Sequence, residues 1–220
     1  MTTNIRLAVF DCDGTLVDSQ HMINSCMIDA FESVNLVPPP LSSVRRVVGL
    51  PLGEAIRVLC GDNDTAPIED MAAAYSSSWQ AMRLGGDLSE PLYDGIPTLL
   101  QALRDDGWTL GVATGKSMRG LEATLAHHNL GDHFVTLQTA DKARGKPDPQ
   151  MLHFAMEEAG ARVEDTVMIG DTTFDIEMAK AASVRALGVA WGYHAPTDLM
   201  SAGAETVADV VTDLHNILKI

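Results

Sequence analysis

From Tyr93 to its end the chain alternates short apolar runs with helically spaced stretches, and this alternation restricts the possible folds more than any other feature. The runs 109–113, 134–138, 167–169 and 186–191 have strand length. Residues 96–105, 118–128, 150–159 and 174–182 carry helical periodicity between them, and a weaker strand and helix complete the chain. Such alternation predicts an α/β fold with a Rossmann-like, mostly parallel sheet and helices on both faces. One further strand, Leu7-Ala8-Val9-Phe10, stands alone near the N-terminus. The block after it contains only helical patterns, at 19–35, 42–48, 52–60 and 67–82. The first of these has Met22, Cys26, Ala30 and Val34 near one face and is stopped by Pro38-Pro39-Pro40. The block therefore reads as an all-helical insertion into the sheet domain. With hinges at 16–19 and 88–93, the expected division is a core of 1–16 and 91–220 around an inserted 17–90.

A chain of 220 residues, 46% of them hydrophobic, can bury a core large enough for such a domain and its insertion. A formal charge of -15 and a pI near 4.6 argue against a basic nucleic-acid face and disfavour an anionic membrane surface as partner. Cys12, Cys26 and Cys60 form no C-x-x-C pair, so reduced thiols are expected rather than a disulfide framework or a zinc cluster. No basic segment precedes a long apolar one, and no apolar stretch approaches bilayer length. A cytoplasmic protein is expected, monomeric or homodimeric, with neither nucleic acid nor membrane as partner.

The residues able to do chemistry sit where strands are predicted to end. Asp11-Cys12-Asp13-Gly14 follows the first strand. Asp-Gly alone is an ordinary turn signal, and a calcium loop would need Gly at Leu16 and Glu at Met22. Thr114-Gly115-Lys116-Ser117 follows the strand ending at Ala113 and offers a hydroxyl and backbone N–H groups to an anion. A nucleotide P-loop is excluded, because Gly111 lies one residue too close to Gly115. Thr114 is equally readable as a helix-start residue. Lys146-Pro147-Asp148-Pro149 holds one cation on a stiffened segment. Gly170-Asp171-Thr172-Thr173-Phe174-Asp175 supplies two carboxylates about one helical turn apart, and helix capping explains one of them better than both.

Convergence of these clusters at one sheet edge would crowd Asp11, Asp13, Asp171 and Asp175 together with little basic charge but Lys146. Like charges at roughly 4 Å repel by about 4 kcal/mol at an effective dielectric near 20. A hard divalent cation relieves that repulsion. Oxygen donors without a His or Cys cluster favour Mg²⁺, with its other positions left to water and a phosphate oxygen.

With all four motifs in this order, and a helical insertion after the first, the chain resembles the haloacid dehalogenase superfamily, in its helical-cap phosphatase branch. The resemblance covers nearly the whole chain. It implies Asp11 as nucleophile, Asp13 as general acid and then base, and Thr114, Gly115 and Lys146 as phosphate holders. It implies a metal bound by Asp11 and Asp171, with the Asp13 main-chain carbonyl as a further ligand and Asp175 supporting the metal or Lys146. The substrate so implied is a small phosphorylated metabolite, a phosphomonoester of the phosphoglycolate type. The other readings are a β-phosphoglucomutase-like mutase, whose relatives usually carry Glu where Gly170 stands, a pyrophosphatase or nucleotidase, and a non-enzymatic phosphoaspartyl receiver or binding module. A receiver carries its phosphoacceptor on the third strand, whereas the Asp pair here ends the first. Arg45, Arg46 and Gly49 in the insertion, and Tyr193 and His194 after the strand ending near Trp191, are the candidates for substrate selectivity. An arginine pair of this kind is more often a solvated helix face. Ser183 stands where relatives usually have glycine, which predicts a left-handed turn after the preceding helix.

Overall fold

The computed structural model describes residues 4–85 and 90–219. Strands β1 (Arg6–Phe10), β2 (Trp108–Thr114), β3 (Thr136–Thr139), β4 (Thr166–Gly170), β5 (Arg185–Val189) and β6 (Thr206–Ala208) form one sheet in the order β3-β2-β1-β4-β5-β6. Every pairing is parallel. The strands are apolar on both faces because both are covered. Ala8 and Phe10 of β1 join one buried cluster with Val167, Ile169, Leu187 and Val189, while Leu7 and Val9 join the other with Met168 and Ala186. This period of two is the strand's own geometry. Helices α5 (Ile96–Asp105), α6 (Met118–His127) and α10 (Val211–Leu218) cover the first face. Helices α7 (Gln150–Ala159), α8 (Thr173–Ala181) and α9 (Pro196–Ala202) cover the second.

The insertion consists of α1 (Gln20–Glu32), α2 (Leu41–Arg45), α3 (Leu52–Cys60) and α4 (Ile68–Gly85). It has its own core of Ile23, Met27, Ala30, Phe31, Ile56 and Met71, which Tyr193 enters from the sheet domain. A smaller seam packs Val47, Leu50 and Ala55 with Phe174 of α8. The chain leaves and returns along paired segments. Asp18 N–H donates to the Pro91 carbonyl at 2.8 Å and Tyr93 N–H to the Leu16 carbonyl at 3.1 Å. Of the hinge expected at 88–93, residues 88 and 89 lie outside the described residues. No helix among the described residues is long and apolar enough to cross a membrane.

Several boundaries move. β2 runs on through Thr114, so this residue ends a strand instead of following one. β3 starts at Thr136, since a short turn of 3-10 helix, Gly131–His133, takes up the chain before Phe134. β5 stops at Val189, and Trp191 turns its indole N–H onto the Thr15 carbonyl at 3.1 Å. Strand order reverses between β1 and β4, so the C-terminal ends of β1, β2 and β4 open on one crevice beneath the insertion.

Ser183 has φ 58°, in the left-handed region, as its glycine-like position predicted. Its N–H bonds the Lys180 carbonyl at 3.0 Å and that of Val184 bonds Ala179 at 2.8 Å, closing α8 in the manner that favours glycine. Ser183→Gly should therefore stabilise the fold by about 0.5–1 kcal/mol, read as a higher urea midpoint at unchanged slope. An unchanged or lower midpoint would show that the turn carries no strain.

Candidate active site

The crevice is built by backbone continuation of the central strands. Asp11 N–H donates to the Ile169 carbonyl at 2.9 Å, which extends the β1–β4 ladder and holds Asp11 at the strand end. The chain then doubles back, with the N–H groups of Leu16 and Val17 both on the Cys12 carbonyl at 2.9 and 3.0 Å. Gly14 makes that turn possible. Its φ is 89°, and a Cβ there would lie 2.2 Å from Asp171 Oδ2. The turn sends the two aspartates of the pair in different directions.

Asp11 faces inward, onto a fully buried group with Lys146, Asp171 and Asp175. Lys146 Nζ lies 2.7 Å from Asp11 Oδ1 and 2.5 Å from Asp175 Oδ1. These are ion-pair distances without hydrogen-bonding angles, so Nζ, both Asp11 oxygens and Asp175 Oδ1 are buried with no hydrogen-bond partner among the described residues. Asp171 accepts from the Thr15 hydroxyl and from Tyr193 N–H, each at 2.9 Å. Asp175 does two things at once. Its Oδ2 accepts from the N–H and hydroxyl of Thr172 at 3.0 and 2.7 Å, capping α8, while Oδ1 faces Lys146. Capping explains Asp175 and not Asp171, and it leaves Asp175 a place in the site as well.

One buried ammonium does not balance three buried carboxylates. Burial, opposed by Lys146 and reinforced by Asp175, pushes the Asp11 carboxyl up to about 7. Burial together with Asp11 and Asp175 pushes Asp171 well above the ordinary carboxylate range. Burial disfavours a charged Lys146, but Asp11 and Asp175 outweigh it and hold its pKa above the usual value. Asp11, Asp171 and Asp175 each offer an oxygen within 4.8 Å of the others. An oxygen-only set with excess negative charge, in which Asp11 Oδ2 accepts no hydrogen bond among the described residues, fits a hard divalent cation such as Mg²⁺.

Asp13 leaves this group. Its carboxylate meets the Ser19 hydroxyl and lies 2.8 Å from Lys116 Nζ, so its side chain is not among the carboxylates grouped for a metal. Lys116, which sequence reasoning passed over when it counted little basic charge but Lys146, bridges Asp13 to the buried Glu90 at 2.9 Å. Its Nζ also lies 4.3 Å from the Trp79 ring centroid. Asp13 and Glu90 outweigh the effect of burial and hold Lys116 protonated. Glu90 in turn accepts from the Thr124 hydroxyl at 3.1 Å.

Thr114 is buried at the end of β2, and its hydroxyl accepts from Lys116 N–H at 3.2 Å. It is not the helix-start residue, because Ser117 caps α6 by accepting from Gly120 N–H. Gly115 lies so close to the carbonyls of Gly49 and Leu50 that a Cβ would sit 2.8 and 2.9 Å from them. Beside these residues a cavity of about 440 Å³ opens between the sheet edge and the insertion. Asp13, Gly115 and Lys116 line it, whereas Asp11, Asp171 and Asp175 do not.

The residues expected to select substrate sit elsewhere. Arg45, Arg46, Gly49, Tyr193 and His194 are all absent from the cavity wall. Arg45 reaches across to the Gly192 carbonyl at 3.0 Å and lies 6.0 Å from the Tyr193 ring centroid, while Arg46 is exposed. Gly49 packs beside Thr172 and Phe174. The Tyr193 hydroxyl bonds Ser19 at 3.0 Å and so braces the hydroxyl that holds Asp13. His194 Nδ1 accepts from Thr173 N–H at 3.1 Å, and burial lowers its pKa. Four of the five therefore lie along the contact between insertion and sheet domain.

Because the folded-state pKa of Asp11 is raised, folding is most favoured below its unfolded value near 4 and loses stability as pH rises through about 7. Without divalent cations, Asp11→Asn should be more stable than the parent by about 1–3 kcal/mol at pH 8, with the gain fading towards pH 4. Denaturation in EDTA at both pH values tests this, and equal stability at pH 8 would refute it.

A profile of the family described as "Haloacid dehalogenase-like hydrolase" matches residues 8–189. The chain is 34% identical to "Probable phosphatase IndB" of Dickeya dadantii, over 97% of this chain and 95% of that protein. It is 31% identical to "Phosphoglycolate phosphatase" of Pseudomonas putida, over 97% and 78%. A crystal structure of a hydrolase from Pseudomonas syringae superposes with a TM-score of 0.86 at 24% identity, covering 97% of this chain and 98% of that one, which supports the fold. The strand order, the charged crevice at the ends of β1 and β4 and the match over residues 8–189 agree, and the chain belongs to the haloacid dehalogenase-like hydrolase family.

Proposed function

We propose that this hydrolase is a Mg²⁺-dependent phosphatase that cleaves a small phosphomonoester through an aspartyl-phosphate intermediate. The observation that carries the reading is the division of the Asp pair. Asp11 is buried with unpartnered oxygens beside Lys146, and Asp13 is held by Lys116 and Ser19 at the cavity. Asp11 attacks phosphorus, forming the Asp11–phosphorus bond as the bond to the alcohol oxygen breaks. Asp13, protonated before this step, gives that oxygen its proton and is left as the carboxylate that pairs with Lys116. Asp13, now a base, takes a proton from water, whose oxygen attacks phosphorus and releases Asp11 and inorganic phosphate. Lys146 and Thr114 hold the phosphoryl oxygens, with Gly115 leaving them access along the backbone. Asp11 and Asp171, with Asp175 in support, would hold Mg²⁺, which would supply charge neutralisation at the phosphoryl group.

The names of the Dickeya and Pseudomonas relatives support a phosphatase, and the second supports a phosphoglycolate-like ester. The mutase reading meets an obstacle at Gly170, where a Cβ would lie 2.3 Å from Asp175 Cγ. Glutamate does not fit there with Asp175 where it is. The free thiols of Cys12, Cys26 and Cys60 are in keeping with a cytoplasmic setting.

With p-nitrophenyl phosphate, the protein should release phosphate in Mg²⁺ and stop in EDTA. Asp11→Asn should lower kcat by about a thousandfold or more, and Asp13→Asn by about a hundredfold or more. No turnover by the parent, or undiminished turnover by Asp11→Asn, would sink the proposal.

A further inference from the structure

We infer that the alcohol half of the substrate is a largely apolar group bearing a flat ring and a hydrogen-bond acceptor, rather than a small hydroxy acid such as glycolate. This rests on the phosphatase reading above and goes beyond it by naming what fills the cavity. The cavity is on the leaving-group side, since Asp13 lines it and Asp11 does not. Its volume of about 440 Å³ lies within the range of roughly 300–1,000 Å³ occupied by drug-sized ligands. Glycolate would leave most of it empty.

The walls carry the chemical argument. Ile23 and Met27 of α1, Val44 of α2 and Leu52 of α3 present aliphatic surface to the cavity. Tyr75 and Trp79 of α4 form an aromatic wall, their rings stacked at 6.0 Å between centroids with 22° between planes. Such surfaces favour a ring over a hydrated acid. Lys116, the cation nearest Asp13, is already engaged by Asp13 and Glu90 at 2.8 and 2.9 Å. Arg119 is exposed on the cavity's rim.

Arg83 supplies a second, independent observation. It lines the cavity, and its Nε and Nη2 are buried with no hydrogen-bond partner among the described residues. Glu90 lies 3.8 Å from Nη2, near enough to balance the charge while leaving these donors unmet. Buried donors of this kind call for an acceptor. The Arg83 side chain is 24% exposed, and a turn of its guanidinium brings these donors to a carbonyl or amide on the far side of the substrate's ring, fixing the orientation of an otherwise apolar ligand.

The test compares kcat/KM in Mg²⁺ for three esters with alkyl leaving groups: phosphoglycolate, 2-phenylethyl phosphate and its 4-carbamoyl derivative. Both ring-bearing esters should exceed phosphoglycolate by about tenfold or more. Trp79→Ala, with Trp79→Leu as a gentler change, should lower both ring-bearing esters about tenfold more than it lowers phosphoglycolate, beyond any loss common to all three that follows from the Trp79 contact with Lys116. Arg83→Met should abolish the advantage of the carbamoyl ester over its parent ester. Dissociation constants measured with Asp11→Asn protein in Mg²⁺ should follow the same order. If no ester is hydrolysed, the phosphatase reading fails while the binding order still decides what the cavity accepts. Preference for phosphoglycolate in binding, or equal losses on all three esters in the Trp79 variants, overturns the inference. A carbamoyl advantage that survives Arg83→Met removes the acceptor from it.

Discussion

Lys146 stands buried between two carboxylates, and the other features of the crevice follow from that arrangement. A lone buried ammonium would be expensive, and so would any one of the three aspartates near it. Together they still leave a surplus of negative charge, which burial expresses as raised pKa values at Asp11 and Asp171. The surplus is what a divalent cation and a phosphoryl group can use. In the proposed reaction an ion relieves the carboxylates, while Lys146 remains charged to meet the phosphate. A site fully balanced by protein cations would have little affinity for either.

The second lysine has a different effect. Lys116 binds Asp13 and Glu90 at 2.8 and 2.9 Å, and Asp13 is thereby drawn out of the metal-forming group toward the cavity. Two aspartates separated by one residue consequently have different surroundings, one in the buried charged group and the other at the cavity. Tyr193 ties these regions together through different atoms. Its N–H bonds Asp171, and its hydroxyl bonds the serine that holds Asp13. The side chain also packs in the core of the insertion, so the seam between the two parts of the chain is itself connected to both acids.

Much of the framework was readable because local chemistry marks it. The spans of α3, α5 and α7 match the periodic segments, and each is bounded or opened by proline or glycine: Pro51 and Gly61, Pro97, Pro149 and Gly160. The four motifs were readable because a parallel sheet brings strand ends together whatever lies between them. Side-chain direction was less accessible. Lys116 looked like part of an anion loop, yet its partner Glu90 lies 26 residues away. Tyr193 and Ser19 are separated by 174 positions. Arg45 looked like a substrate contact because a cation pair is conspicuous in an acidic chain. Its actual partner is the Gly192 carbonyl, a backbone group that no side-chain pattern announces.

The insertion and the sheet domain also divide the energetic work. The buried clusters on the two sheet faces are separate from the cluster among α1–α4, and Tyr193 and the small seam at Phe174 join the two parts. A change to Ile23, Val44 or Trp79 thus alters the cavity and reaches the charged group by way of Tyr193, which packs in the same cluster and bonds Asp171. The two parts are coupled in the other direction as well. Thr172 caps α8 through Asp175 and also packs beside Gly49, so a disturbance of the charged group reaches the insertion by direct contact. Volume-conserving changes in the apolar walls leave the Tyr193 contact, and with it the charged group, in place, because apolar packing tolerates exchange of shape.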